Sequence, residues 1–205
     1  MKTVEEIKSA IEAAIPGAAV EIAPNPNLSL QPSLRIASSH ALAVAKFLRD
    51  DAELKLDYLS NVTGVDWPDS LEAVYHLYSV EKKHGPVILR MHTANRTDQV
   101  ELPSLTPVWR SAEFQEREIF DLYGIVFTGH PDLRRLLMWE GFKDHPMRRD
   151  YVAPDDFEYE PTAHDEVLKR AQAHKDREQG TTTPASNDRS PGILAGIREQ
   201  GPTTA

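Results

Sequence analysis

A chain of 205 residues with 40% apolar side chains can build one substantial core plus an appendage. Its formal net charge of −9 argues against a general nucleic-acid binder, which would carry a basic face. It contains no cysteine, which excludes disulfides, thiolate zinc sites and cysteine-ligated iron–sulfur clusters within the chain and fits a reducing compartment.

The opening MKTVEEIKSAIEAAIPG places acidic residues inside an amphipathic pattern, where a secretory signal needs an unbroken apolar core. No run of about 18 apolar residues occurs, so the expectation is that the chain reaches a membrane only through partners. Thr3 with Glu6 three positions on predicts a capping box, with Val4, Ile7, Ile11, Ala14 and Ile15 as the buried stripe and Pro16-Gly17 as the stop. Residues 18–23 and 28–37 read as strands around a PNPN turn, and Pro32 predicts an edge or a bulge for the second. Ser38 or Ser39 should cap a helix through ALAVAKFLRDD that offers Leu42, Ala45, Phe47 and Leu48 for burial.

Residues 54–67 predict a further strand and loop ending at Pro68. Strands over 71–81 and 86–95 are joined by KKHG, short enough for a hairpin. Residues 102–110 are an extended, proline-broken connection. Ser111 then caps a third helix that Gly124 ends, and 125–127 form a short strand. The expected order is α-β-β-α-β-β-β-α, an α+β layer with helices on a mainly antiparallel or mixed sheet over residues 1–152. From 153 to 205 the chain is acidic at first, then a thinly apolar helix pattern, then a polar tail. That stretch is too poor in large side chains to fold alone, so it is loose or ordered on a partner.

The segment GHPDLRRLLMWEGFKDHPMRRDY, 129–151, repeats itself: His130-Pro131 leads to Arg134-Arg135, and His145-Pro146 leads to Arg148-Arg149. Pro131 suits the first position of a helix and Asp132 its positive end, with Leu133, Leu136 and Leu137 turned inward. The second phrase reads as loop. The arginines suit a phosphate clamp or an ion-paired interface, but P-loop spacing is missing and Asp132, Glu140, Asp144 and Asp150 cancel most of their charge. On the third helix, Ala112, Ile119, Phe120, Leu122 and Tyr123 fall on one face with Glu116 in its middle. Arg117 and Asp121 fall opposite, at the spacing of surface ion pairs with Glu113 and each other. A carboxylate in an apolar stripe is a general base or ligand, or else an arginine's partner that fixes how the helix docks. A tight KKHG turn would set His76 and His92 opposite each other as two metal ligands, with a third missing.

Residues 111–151 resemble the hallmark of the C-type subunit of the proton-pumping NADH–quinone oxidoreductase, respiratory complex I. The hallmark is met by Glu116-Arg117-Glu118, Ile119-Phe120-Asp121, Gly124-Ile125 and Gly129 to Arg135. NVTGVDW (61–67), VYHLYSV (74–80) and VWRSAEF (108–114) are similar to the family's other blocks in the same order. The closing block departs from it, with Asp144 in place of the usual glycine and Met147 and Arg149 replacing Leu and Lys.

The resemblance implies a non-catalytic subunit of the peripheral arm, on the cytoplasmic side of the bacterial cell membrane. FMN and the iron–sulfur clusters then sit in partner subunits, and no cofactor or metal is held here. The implied neighbours are the B- and I-type cluster subunits and the D-type quinone-site subunit, along which the family's tail lies. On that reading Glu116, Arg117, Glu118, Asp121, His130, Arg134, Arg135, His145, Arg148, Arg149 and Asp150 serve partner interfaces or structural ion pairs. The competing readings are an equivalent scaffold in a complex-I-like membrane-bound hydrogenase, and a free-standing metal- or phosphate-binding enzyme.

Overall fold

Thr3 caps the first helix as its sequence predicts: its hydroxyl accepts from Glu6 N–H at 3.2 Å, and Glu6 Oε2 accepts from Thr3 N–H at 2.7 Å. A computed structural model describes residues 2–24, 31–97, 99–139, 141–153, 169, 172 and 173. Among the described residues up to Ala153, three α-helices, α1 (Val4–Ala14), α2 (Ala41–Asp50) and α3 (Ala112–Tyr123), accompany seven strands. These are β1 (Val20–Ala23), β2 (Ser33–Ile36), β3 (Tyr58–Asp66), β4 (Leu71–Ser79), β5 (His84–His92), β6 (Glu101–Pro103) and β7 (Val126–Thr128).

Five strands form one mixed sheet in the order β1-β2-β5-β4-β3, antiparallel except for the parallel β2–β5 pair. The short β6 and β7 pair in parallel as a second sheet. The α+β class and mixed sheet therefore match the sequence reading, while β6, expected only as an extended connection, is an added strand. Pro32 precedes β2 and takes no part in it, and β2 lies inside the sheet rather than at its edge.

All three helices feed one hydrophobic cluster: Ile7 and Ile11 of α1, Val44, Ala45 and Leu48 of α2, and Ala112 and Ile119 of α3. The sheet contributes Leu34, Ile36, Ala73, Tyr75, Leu77, Leu89 and Met91, the alternate residues of its strands, so the helices share one face. Leu42, expected to be buried, is instead 38% exposed, and Val44 takes its place. The predicted serine caps are also redirected. Ser38 and Ser39 fall in a single 3₁₀ turn before α2, and Ser111 Oγ donates to Leu59 O at 3.1 Å, tying α3 to β3.

Gly64 of β3 allows the closest approach of α3. A Cβ there would lie 2.5 Å from the Tyr123 ring, so only glycine lets the helix settle onto the strand. Residues up to Ala153 belong to one compact unit. The acidic stretch, polar helix and tail expected beyond it lie outside the described residues, apart from 169, 172 and 173.

Candidate functional site

α3 is buried on more than the face its apolar pattern defines. Glu116, Arg117 and Asp121 are all buried along with Ala112 and Ile119, whereas Phe120, Leu122 and Tyr123 are only half-buried. Two different environments account for this.

Glu116 faces the core, fully buried. Its Oε1 accepts from Tyr75 Oη at 3.1 Å and Leu105 N–H at 2.8 Å, and its Oε2 accepts from Ser104 Oγ at 2.6 Å and Thr106 Oγ1 at 3.2 Å. The arginine partner weighed from the sequence is thus replaced by neutral donors. Burial pushes this carboxyl above its ordinary value, and the bonds from Ser104, Leu105 and Tyr75 only partly offset it. The burial of Tyr75 and its nearness to Glu116 push the phenol well up, so it stays a donor. The carboxylate pins the turn after β6 between the helix and the sheet.

Arg117 and Asp121 face the other way, but not into solvent. The described residues of 129–151 run without helix or strand, in turns and bends, and cover that side of α3. The helix expected after Pro131 does not form; backbone groups of 134–138 are bonded instead to Arg117 and Asp121 of α3. Leu136 and Leu137, expected inward, are 38% and 58% exposed, while Leu133 packs partly against the core. Glu113 lies near Arg110 at 3.7 Å rather than Arg117, and Arg117 donates to Arg134 O and Arg135 O, both at 3.1 Å.

Asp121 organises this covering segment. Its Oδ2 accepts from three consecutive backbone N–H groups, Leu136 at 3.0 Å, Leu137 at 2.7 Å and Met138 at 2.8 Å, and its Oδ1 meets Arg135 Nη1 at 2.8 Å. Burial would raise the carboxyl, but the Met138 and Leu137 N–H groups, the Arg135 guanidinium and the Leu136 N–H outweigh it and hold it below the usual range.

The second His-Pro phrase satisfies the end of α3. A helix leaves its last four carbonyls without intrahelical partners. Here Phe120 O accepts from Gly124 N–H at 2.9 Å and Asp121 O from His145 Nδ1–H at 2.9 Å. Leu122 O accepts from Met147 N–H at 3.1 Å and Tyr123 O from Arg148 Nε–H at 2.7 Å. Cationic Arg135 and Arg148 also sit where the helix dipole is negative. Gly124 makes the approach possible: its φ is +79°, and a Cβ would lie 2.5 Å from His145 Nε2 and 2.7 Å from Arg148 Nη2.

The first phrase grips the other end. His130 Nδ1 accepts from Asp132 N–H at 3.1 Å, leaving Nε2–H to donate to Glu113 O at 2.9 Å. Arg134 is 70% exposed in its side chain and pairs with Asp132 at 2.9 Å. Glu118 and Arg149 are exposed. Arg149 contributes through its backbone, donating to Asp66 Oδ2 at 2.7 Å.

Asp66 closes the arrangement. Arg96 bridges it, at 2.6 Å from Nη2 to Oδ2, to Asp150 at 2.8 Å, so the end of β3 is clasped to the end of the covering segment. Asp66 lies in the NVTGVDW block that resembles the family, but nothing there marks it as a clasp, and Arg96 does not stand out in the sequence at all. The bonds from Arg96, with Arg149 N–H, hold Asp66 below the usual range despite burial.

The remaining candidates separate. In the β4–β5 register His76 faces Ile88 and His92 faces Glu72, so the two histidines do not share a site. Among the described residues no three His, Cys, Asp or Glu side chains cluster as a metal site would need. His92 Nε2 lies 2.6 Å from Glu72 Oε1, and fully buried Glu72 also binds Arg90 and Trp67 Nε1. Burial would raise Glu72, but His92, Arg90 and Trp67 draw it down to about 2. A cleft of about 650 Å³ runs beside the end of α3, lined by Phe120, Arg135, Lys143, His145, Arg148 and Tyr151 among others. Its arginines are spent on α3 carbonyls and Asp121, so it is built as the seam of a clamp.

The family described as respiratory-chain NADH dehydrogenase, 30 kDa subunit, matches residues 34–169. The chain belongs to this family. The C-type NADH-quinone oxidoreductase subunit of Roseiflexus castenholzii is 44% identical over 121 residues, 58% of this chain and 68% of the relative. Its counterpart in Azorhizobium caulinodans is 37% identical over 174 residues, 82% of this chain and 77% of its own length. For one of the C-type subunits of Rhizobium etli the match spans 56% of the relative's length at 46% identity. A chain of the archaeal membrane-bound sulfane sulfur reductase, a respiratory membrane complex, shares the fold at a TM-score of 0.54, with 20% identity over 92% of this chain and 98% of that one. No helix among the described residues of this 30 kDa-type chain is long and apolar enough to cross a membrane.

Proposed function

We propose that this 30 kDa-type chain is a structural subunit of the peripheral arm of a proton-translocating NADH–quinone oxidoreductase. On this reading the complex passes electrons from NADH through FMN and iron–sulfur clusters, all in other subunits, to quinone. Its neighbours are the D-type quinone-site subunit and the B- and I-type cluster subunits, and it meets the membrane from the cytoplasmic side only through them.

One observation carries the reading beyond family membership. Arg117, Arg135, His145 and Arg148 of the family's signature are turned inward, onto backbone carbonyls and the buried Asp121 carboxylate, while Glu118, Arg134 and Arg149 stay exposed, so the inward set shapes a surface rather than a reaction centre. That segment also turns large apolar side chains outward among its charged ones: Leu137 is 58% exposed, Trp139 47% and Met147 54%. Exposed tryptophan, leucine and methionine on a held backbone are typical of a protein–protein contact.

The test is an affinity tag on this chain in its native cell, gentle solubilisation, and identification of what co-purifies. Cluster-bearing and membrane subunits with NADH-dependent quinone reduction support the proposal. Hydrogenase subunits without an NADH-oxidising module would move the chain to a related machine. A chain recovered alone with stoichiometric metal would overturn the reading.

A further inference from the structure

We propose that residues 129–151 form a strap that opens from α3 and closes on it as one cooperative unit, independently of the α+β core. Three features of the packing support this.

First, the strap holds little apolar surface of its own. Among its described residues only Phe142 is a buried hydrophobic side chain, stacked edge-on against Trp139 at 4.9 Å and under the Arg135 guanidinium at 5.5 Å. The core cluster lies almost wholly outside it. Segments with few buried apolar contacts are those that open below the global unfolding free energy.

Second, its attachments are shared, so they fail together. One carboxylate, Asp121, receives three backbone N–H groups and Arg135. His145, Met147 and Arg148 all end on the last turn of α3. At the far end Arg96 and Asp66 fasten residues 149 and 150. Release of Asp121 frees the middle of the strap at one stroke.

Third, opening uncovers buried charge together with little buried apolar surface, chiefly Phe142 and part of Leu133. Arg117, Asp121 and Arg135 would return to water, which favours ionised groups, and α3 would keep its contact with the sheet through Ala112, Glu116 and Ile119. The wheel of α3 assigns Arg117 and Asp121 to the solvent side because, with the strap open, that is the solvent side. The Asp121 carboxyl stays below the usual range, so this fastening stays ionised in mild acid.

Resting on the proposed function, closure is what fixes Leu137, Trp139 and Met147 relative to one another for a neighbouring subunit, and binding there would hold the strap shut.

Hydrogen exchange of the purified full-length chain, read by mass spectrometry at neutral pH, tests this without any partner. Peptides within 130–151 should exchange together, on the order of tenfold or more faster than peptides of β4 and β5. Asp121→Asn should speed the strap peptides about tenfold again and leave β4 and β5 unchanged. Strap exchange at the core's rate, or acceleration of all peptides alike, would overturn the proposal. Should Asp121→Asn not fold, Arg96→Gln cuts the outer fastening and should give a smaller acceleration confined to the strap; a change shared with β4 and β5, or none, overturns it. Loss of co-purifying subunits would refute the assembly role while leaving this result standing.

Discussion

Replacing Glu116 separates what its charge does from what its shape does. The carboxylate collects four donors, Tyr75 Oη, Leu105 N–H, Ser104 Oγ and Thr106 Oγ1, in a fully buried site with no arginine bonded to it. Glu116→Gln keeps the shape: the amide oxygen accepts from Tyr75 and Leu105, and the amide nitrogen donates to the Ser104 and Thr106 hydroxyls, which can turn to accept. Glu116→Ala strands those donors at about 1–3 kcal/mol each, less relaxation, and leaves a cavity. We expect Ala to cost about 3–5 kcal/mol and Gln to stay within about 1 kcal/mol at pH 7.

The pH dependence sharpens the contrast. Burial raises the folded-state value of Glu116, so between its ordinary and raised values the folded chain keeps a proton that the unfolded chain has lost. The stability linked to this group is full below the ordinary value and falls as pH rises through the raised one; Gln should abolish that fall. Urea unfolding followed by circular dichroism from about pH 4 to pH 8, on wild type and both variants, reads all of this. Equal losses for Gln and Ala at every pH would refute the neutral-donor account and require a cation at Glu116.

Glu72 should behave with the opposite sign. Held at about 2 against an ordinary 4.5, it contributes about 3 kcal/mol that is present above pH 4.5 and lost as pH falls toward 2. Glu72→Gln should lower neutral stability and flatten the acid limb of the urea midpoint; an unchanged acid limb would count against the Glu72 cluster. Gly124→Ala forces a non-glycine residue to φ +79° and drives a Cβ against His145 and Arg148, which should cost about 2–4 kcal/mol. An unchanged Tm would show that the second His-Pro phrase does not pack there in solution. Because His76 and His92 occupy different register positions, a chelator or added Zn²⁺ should leave Tm unaltered, and a metal-dependent rise would contradict that separation.

Local signals carry most of the fold. The capping box at Thr3 and the stop at Gly124 depend on residues within a few positions of each other and stand where the sequence predicts them, while the predicted hairpin forms with its turn at 80–83 instead of at KKHG, which sets His92 opposite Glu72. Local propensity misleads where a distant segment supplies the partner. It makes Ser111 a cap and the stretch after Pro131 a helix, but Ser111 bonds β3 and the Pro131 stretch is held along α3. Helical spacing turns Leu136 and Leu137 inward, in a segment that has no helix to impose that spacing.

By itself, then, the sequence determined the α+β layer, the family and the oddity of Glu116 inside an apolar stripe, because these rest on periodicity and on motif order along one chain. Only the tertiary structure decided what the charged residues do. Whether Asp121 and Arg117 meet water or buried backbone depends on residues 134–138, and whether Asp66 is an ordinary strand end or a clasp depends on Arg96 and Asp150. A carboxylate's role is set by the donors that reach it in space, and the chain order of those donors leaves no periodic trace.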